Sequence, residues 1–459
     1  MERTTAKKNK YEIDMCNGTI MDKLISFSLP LMLSGILQLM FNAVDIIVVG
    51  RFSGSQALAA VGSTSALINV FTNLFIGISL GANVLTARFY AAGREKEVSE
   101  TVHTAITLAL VSGIVMALVG LVFSKGALAL MGTPDDVIGL SALYMRIYFL
   151  GMPFFMLYNY GAAILRAVGD TKRPLLFLMI AGVINACLNM VLVIVFKLGV
   201  AGVAIATVIS QMISCVLVLR CLCRSESSYR LRFSELGMKG YYLKQIFSVG
   251  VPAGIQSTVI NFSNVLLQSS VNSFGSTAMA GYTAANNLLG FLYVSVNSIT
   301  QACMSFTSQN YGVGKLKRMD RVLADCMILS VVVAVVLGCI CYGFGPEILQ
   351  IYTEDAEVIA CGMEILAYTT ITYFLCGWMD LFPGALRGMG YSAVPMVLSV
   401  IGTVGTRVVW IFGIFPYHRS LAILFISYPA SWIITIILQV VCFYFVRRRV
   451  HRRSQTLAG

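Results

Sequence analysis

Long apolar runs broken by short polar turns dominate the chain. Twelve can be counted, with approximate limits 24–49, 57–80, 101–123, 137–158, 175–196, 201–219, 245–272, 279–300, 323–343, 358–380, 393–414 and 421–446. A helix of about twenty apolar residues is what it takes to cross the hydrocarbon core of a bilayer. Most of the turns between runs carry Gly or Pro, as helix ends do. One polar interruption is longer, Arg220–Lys244, and reads as a connector between two halves. The predicted fold class is an all-α polytopic membrane protein, with twelve transmembrane helices in two pseudo-symmetric six-helix lobes. The lobes are expected at residues 1–219 and 245–459, with a cytoplasmic connector at 220–244.

The two halves repeat each other at an offset of 221 or 222 positions. Pro30 matches Pro252 and Asn42 matches Asn264; after the next turn Gly54 pairs with Gly275, Tyr90 with Tyr311 and Gly93 with Gly314. Further on, Arg166 pairs with Arg387, Gly169 with Gly390 and Pro174 with Pro395. Six spans per repeat is an even number, so both repeats start on the same side, as parallel transporter repeats do. Lys and Arg set the orientation. The termini and the turns after helices 2, 4, 6, 8 and 10 hold 27 of the 33 basic residues, while the opposite side holds Arg51, Lys125, Lys197 and Arg419. The positive-inside rule makes the rich side cytoplasmic and puts both termini there.

Polar side chains within the runs are few and patterned. Ser34, Gln38, Asn42 and Asp45 are spaced 4, 4 and 3 apart, which puts them on one helical face. A carboxylate at this depth costs about 3 kcal/mol on insertion scales, so it is expected to face a bundle interior or water. In the second half, Ser257, Asn261, Asn264 and Gln268 form a like seam, but Leu267 takes the acid's place. The other ionisable residues within runs are Arg146, Glu364, Asp380 and Arg407. Asp380 lies three residues before Pro383, which leaves the Met379 carbonyl without its helical donor; a cation or proton site and a plain interface anchor are both open readings there. Arg407 is a candidate neutraliser of such an acid. His103 opens a helix after a charged turn and reads as solvated. Aromatic and amide side chains, Tyr158 and Tyr293 among them, offer an adaptable surface for amphipathic cations.

Composition narrows the class. The chain has 459 residues, of which 58% are hydrophobic and 12% charged, about half the charge of a soluble domain. The net charge of +12 resides in short loops, so it argues for topology rather than nucleic-acid binding. The polar start shows no apolar signal-peptide core. Twelve cysteines are scattered without zinc spacing, and no nucleotide-binding loop or catalytic constellation occurs. No enzyme activity, cofactor or obligatory protein partner is expected.

Three signatures resemble the multidrug and toxic compound extrusion transporters, bacterial type. They are Asn42-x-x-Asp45-x-x-x-Val49-Gly50-x-x-x-Gly54, the repeated turns AAILRAVGDTKRP (162–174) and GALRGMGYSAVP (384–395), and Asn185-x-x-x-Asn189 followed by GVAGVAIAT ending at Thr207. The likeness runs from about residue 20 to residue 446. It implies efflux of drugs in exchange for sodium ions or protons. It implies a cation site at Asp45, Asn185, Asn189 and Thr207, sodium being the candidate metal, and makes Asp380 a second candidate acid. Many members have Asp where this chain has Asn189, which leaves Asp45 the only formal anion and keeps sodium and proton both open. Cleft-lining candidates are Gln38, Asn42, Asn261, Asn264, Gln268, Tyr158, Tyr293 and Arg407. The expected function is a secondary active antiporter in the cytoplasmic membrane that exports amphipathic, cationic compounds. The alternative is a flippase for lipid-linked saccharide precursors, which calls for arginines in the cleft to hold pyrophosphate; only Arg146 and Arg407 lie within runs.

Overall fold

The computed structural model describes residues 10–456, and Arg3, Lys7 and Lys8 of the basic N-terminal count lie outside them. Helix dominates from Met21 on. The first half of the chain forms α1 (Met21–Ser53), α2 (Ser55–Ala91) and α3 (Glu95–Leu130), then α4 (Asp135–Leu150) and α5 (Met152–Ala167), bent by 47° to one another. It continues with α6 (Lys172–Met190), which runs into a π turn at Val191–Val195, and α7 (Gly199–Cys223). The second half repeats this order. It has α8 (Gly240–Asn272), α9 (Ser276–Gly312) and α10 (Leu316–Gly343), a short α11 (Gly345–Gln350), then α12 (Ala356–Thr369) and α13 (Tyr373–Gly388), bent by 51°. The next pass joins α14 (Ala393–Ser399) and α15 (Thr406–Val409) through π turns, and α16 (Leu421–Thr456) ends the series.

Counting each bent pair as one pass gives twelve passes among the described residues. Eight single helices and the two bent pairs are long and apolar enough to cross a membrane. The remaining two, α8 and α9, have 33 and 37 residues and are long enough, but polar side chains such as Asn261, Asn264, Asn286 and Asn287 dilute their hydropathy. The repeat is written into the backbone as well as the sequence. Gly54 and Gly275 (φ 87° and 100°), Gly93 and Gly314 (69° and 73°), and Gly169 and Gly390 (99° and 92°) all turn through the left-handed region at matching places. Only glycine does so without strain, so the turn geometry keeps these pairs.

Two compact units emerge. The first takes in Leu33–Gly254 and the described residues up to Ile13; the second takes in Asp14–Met32 and the chain from Ile255. Thus α1 gives its first turns to the second unit, and α8 gives its first turns to the first. The first unit's core gathers Leu85, Val102, Met145, Phe149, Tyr160 and Val218; the second's gathers Leu267, Tyr282, Leu292, Ile365 and Trp432.

The stretch from Arg224 to Lys239 does not hang free. It folds along the first unit, with Tyr229 fully buried and Leu231 N–H donating to Leu222 O at 3.2 Å. His103, read as a solvated helix start, is instead 4% exposed, because α3 begins eight residues before it. Its Nδ1 lies 2.7 Å from Ser99 O, and its Nε2 accepts the Arg232 N–H at 3.0 Å, so it fastens this stretch to α3. Outside the membrane, Arg232 beside Glu235 holds that carboxyl below its usual range, and burial pushes the Tyr229 hydroxyl up to about 12. That hydroxyl therefore stays a donor at neutral pH. It and the Tyr90 hydroxyl both donate to Glu12, each at 2.7 Å. Glu12→Ala strands the buried Tyr229 phenol donor and is expected to cost about 1–3 kcal/mol, the penalty for an unsatisfied buried group. The check is a lowered melting temperature of the purified protein, part of which Tyr229→Phe restores in the Glu12→Ala background.

Candidate functional site

The acid of the first run sits where three helices of the first unit meet. Asp45, on the part of α1 that belongs to this unit, is 8% exposed. Across from it, α6 presents Asn185 and Asn189, four residues apart and both buried. Gly182, one turn earlier on α6, lets the helices close: a Cβ there would fall on the Phe41 ring, one turn before Asp45. The Asn189 amide nitrogen donates to Asp45 Oδ1 and, at 3.2 Å, to Asn185 Oδ1. From α7, Thr207 Oγ1 lies 3.4 Å from Asp45 Oδ2 and donates to Val203 O at 3.0 Å. The four residues of the expected cation set are therefore together. Immediately after them α6 widens into the π turn at Val191–Val195, a local feature frequent at functional sites.

The electrostatics are simple. Among the described residues no Lys or Arg pairs with Asp45, so its charge is met by an amide and a hydroxyl alone. Tyr144 and Tyr148, stacked on α4 with centroids 6.1 Å apart, lie within the field of the carboxylate. Neither tyrosine stood out in the sequence, because helical spacing of aromatics looks the same in any core. Asn189 Oδ1 is buried and, among the described residues, has no hydrogen-bond partner. Rotating that amide would bring its oxygen toward Asp45 Oδ1 and Asn185 Oδ1, an arrangement that a cation among the three oxygens, or a proton on Asp45, would stabilise. Such oxygen donors suit a hard cation. No group of three His, Cys, Asp or Glu able to hold a metal occurs among the described residues.

The remaining candidates scatter. On α1 Gln38 and Asn42 are exposed, and on α8 Asn261 is exposed while Asn264 and Gln268 are half-buried. Gln268 is tied to its own helix through Asn272 Oδ1 at 3.0 Å. Tyr293 is 44% exposed; Tyr158 is buried, its hydroxyl donating to Pro174 O at 3.2 Å, which makes it a packing residue of the α5–α6 turn. In the second unit Leu267 is fully buried in the core where the first unit has Asp45. Arg407 does not neutralise Asp380. Its Nη1 donates to Asn264 Oδ1 at 2.7 Å and Ser263 Oγ at 3.3 Å, and its guanidinium lies over the Tyr428 ring at 4.7 Å. Asp380 instead feels Arg387, seven residues on along the same helix, whose Nη2 reaches Gln256 Oε1 at 2.5 Å. Asp380 lies in the middle of α13, which runs through Pro383 to Gly388. Helical spacing of seven puts positions 380 and 387 on one face, and that spacing is the sequence signal for the pair.

Two six-pass repeats of apolar helices, with a buried acid held by an amide and a hydroxyl in the first, define a multi-pass membrane protein of the transporter class. The MatE family model matches twice, at residues 30–191 and 252–412. The chain belongs to the MatE family. Its relatives include the Bacillus subtilis "Probable multidrug resistance protein YoeA", 32% identical over 90% of this chain and 91% of that protein. The Staphylococcus aureus "Multidrug export protein MepA" is 22% identical over 82% of this chain and 84% of its own length. In fold, the chain is similar to the outward-facing conformation of a multidrug resistance MATE family transporter of the MOP superfamily, with a TM-score of 0.87, 19% identity, and coverage of 97% and 99% of the two chains. A MATE structure in complex with MaL6 also scores 0.87, at 20% identity and coverage of 95% and 98%. The family is one of membrane transporters rather than enzymes.

Proposed function

We propose that this chain is a secondary active antiporter that exports amphipathic, cationic compounds across the cytoplasmic membrane in exchange for protons or sodium ions. The observation that carries the reading is the Asp45 carboxylate, buried in the first unit with neutral partners only. An anion so placed is costly unless a cation or proton arrives to neutralise it, and that arrival is the coupling event. A sodium ion would take Asp45, Asn185 Oδ1, Thr207 Oγ1 and the rotated Asn189 Oδ1; a proton would take Asp45 alone. Neutralisation changes how α1 packs on α6 and α7. Alternating access follows if the altered packing favours opening to the other side, where the drug leaves. The names of the Bacillus and Staphylococcus relatives support drug export, and the basic turns support cytoplasmic termini.

The remaining site residues take secondary roles in this proposal. Gln38 and Asn42 in the first unit, and Asn261, Asn264, Gln268 and Tyr293 in the second, each offer the drug polar contacts, Arg407 sets the orientation of Asn264, and Asp380 with Arg387 forms a second charged site. The test is dye efflux from vesicles containing the purified protein under a pure sodium gradient and, separately, a pure pH gradient. Ethidium-like dye is expected to move against its own gradient under at least one of them. Movement under neither, with the protein correctly folded, sinks the antiport reading.

A further inference from the structure

One end of the second unit holds more basic side chains than its own contacts use. Lys315 Nζ donates to Cys16 O at 2.9 Å and Asn17 Oδ1 at 2.8 Å. Arg318 donates to the carbonyls of Met15, Asn17 and Gly18. These two are spent on the segment that leads into α1. Asp320 is the only acid between Gly314 and Ala324, and it too is spent. Arg447 of α16 grips it with a two-pronged pair at 2.7 and 2.6 Å. Beside this fork Met319, Leu386, Met389, Cys442 and Val450 close an apolar contact, so the start of α10 and the last turns of α16 are held together. Four cations are left: Lys317 and Arg321 on α10, Arg448 and Arg449 on α16. All are exposed and, among the described residues, none has a side-chain hydrogen bond or ion pair.

A solvated helix face usually mixes charges of both signs. Here the acid in the first two turns of α10 has been withdrawn into the fork and the next, Asp325, comes a turn deeper, while the four cations stand where two membrane-crossing helices run out of apolar sequence. That is the level of lipid phosphates, and clusters of basic residues beside a span attract anionic headgroups. We propose that Lys317, Arg321, Arg448 and Arg449 form a headgroup site for an anionic phospholipid, assembled by the Asp320–Arg447 fork. The charge complementarity is to a phosphate diester carried by the bilayer, since the four cations are exposed and lie at the ends of two apolar spans.

The full chain in neutral detergent is titrated with short-chain phosphatidylglycerol, short-chain phosphatidylcholine and inorganic phosphate, and binding is read by native mass spectrometry and by melting temperature. Phosphatidylglycerol is expected to bind and raise the melting temperature, while the other two do not. Each basic residue near the surface is worth about fivefold in affinity, so R448Q/R449Q is expected to weaken phosphatidylglycerol about 25-fold, and K317Q/R321Q similarly. R224Q/R230Q, on the first unit, is the charge-matched control and should leave binding unchanged. Binding is also expected to fall steeply in 1 M salt, where charges are screened beyond about 3 Å. Equal binding of phosphatidylcholine or inorganic phosphate would overturn the proposal. So would unchanged phosphatidylglycerol binding in both double variants, each first shown to elute as the parent does. None of these readouts involves transport, so they stand apart from the antiport reading.

Discussion

Asp45→Asn is expected to leave the protein folded and to abolish uphill transport, with gradient-driven dye efflux falling about 100-fold. The substitution is close to isosteric. An amide oxygen at this position can still accept from Asn189, and its nitrogen can donate to Thr207 Oγ1, so the contacts of α1 with α6 and α7 survive. What goes is the charge. A hundredfold ion gradient stores about 2.8 kcal/mol per ion, at 1.4 kcal/mol per tenfold, and a conformational change can draw on it only through a site whose affinity differs between states. Without a carboxylate the site no longer attracts a cation or titrates, and the dye moves only down its own gradient. The measurement is initial efflux rate from vesicles, paired with a melting curve. Unaltered gradient-driven efflux in the variant would remove Asp45 from the mechanism.

The twelve passes and the repeat were legible because both depend on local chemistry. Apolar length is what a membrane demands, and a left-handed turn leaves a glycine behind in each copy, as at Gly169 and Gly390. Asp45 was legible for the opposite reason: a charge in an apolar run has to be explained. Its partners on α6 and α7 were reached through family likeness, since nothing in the spacing of Asn185, Asn189 and Thr207 says which helix they face. The failures share one cause, contact between parts distant in sequence. Arg407 was matched to Asp380 as the available opposite charge, but its helix aims it at Asn264 and Tyr428. His103 looked solvated, because only the folded chain shows residues 224–239 lying over it. The bend at Gly151 has Pro153 in the first turn of α5, but the bend near Thr370 has no proline at the break and Pro383 sits inside a continuous helix, so proline marks only one of the two bends. The α10–α16 fork joins residues 127 apart and was equally invisible.

The tightest backbone approach in the first unit went unnoticed in the sequence as well, and it carries the largest expected stability effect. Gly77 and Gly81 on α2 meet Gly250 and Gly254 on α8, four residues apart on each helix, the spacing that lets membrane helices touch backbone to backbone. A Cβ on Gly77 would lie 2.3 Å from Gly254 Cα and N, and one on Gly81 would lie 2.2 Å from Ile246 O. The reverse holds too: on Gly250 it would lie 2.5 Å from Ile78 Cα, and on Gly254 2.5 Å from Leu74 O. The nearest obstacle at all four glycines is backbone, so no side chain can swing aside to relieve it, and the helices must part. Overpacking typically costs 1–3 kcal/mol, and with no soft neighbour Gly77→Ala is expected at about 3 kcal/mol or more. The second half has no such crossing glycines, since Ser298 and Ala302 stand at the matching places on α9. There the first turns of α1 pack through Phe27, edge-on to Phe306 at 5.6 Å. The crossing is therefore a property of the first unit, at the point where α8 leaves it after Gly254. Gly62→Ala and Gly290→Ala are the controls, because an added Cβ meets nothing within 4 Å at either site. They should be neutral or stabilising by up to about 1 kcal/mol, the helix preference for Ala over Gly. Melting curves in detergent decide it: Gly77→Ala must fall well below both controls, and a variant that melts with them means that α2 and α8 do not cross at these glycines.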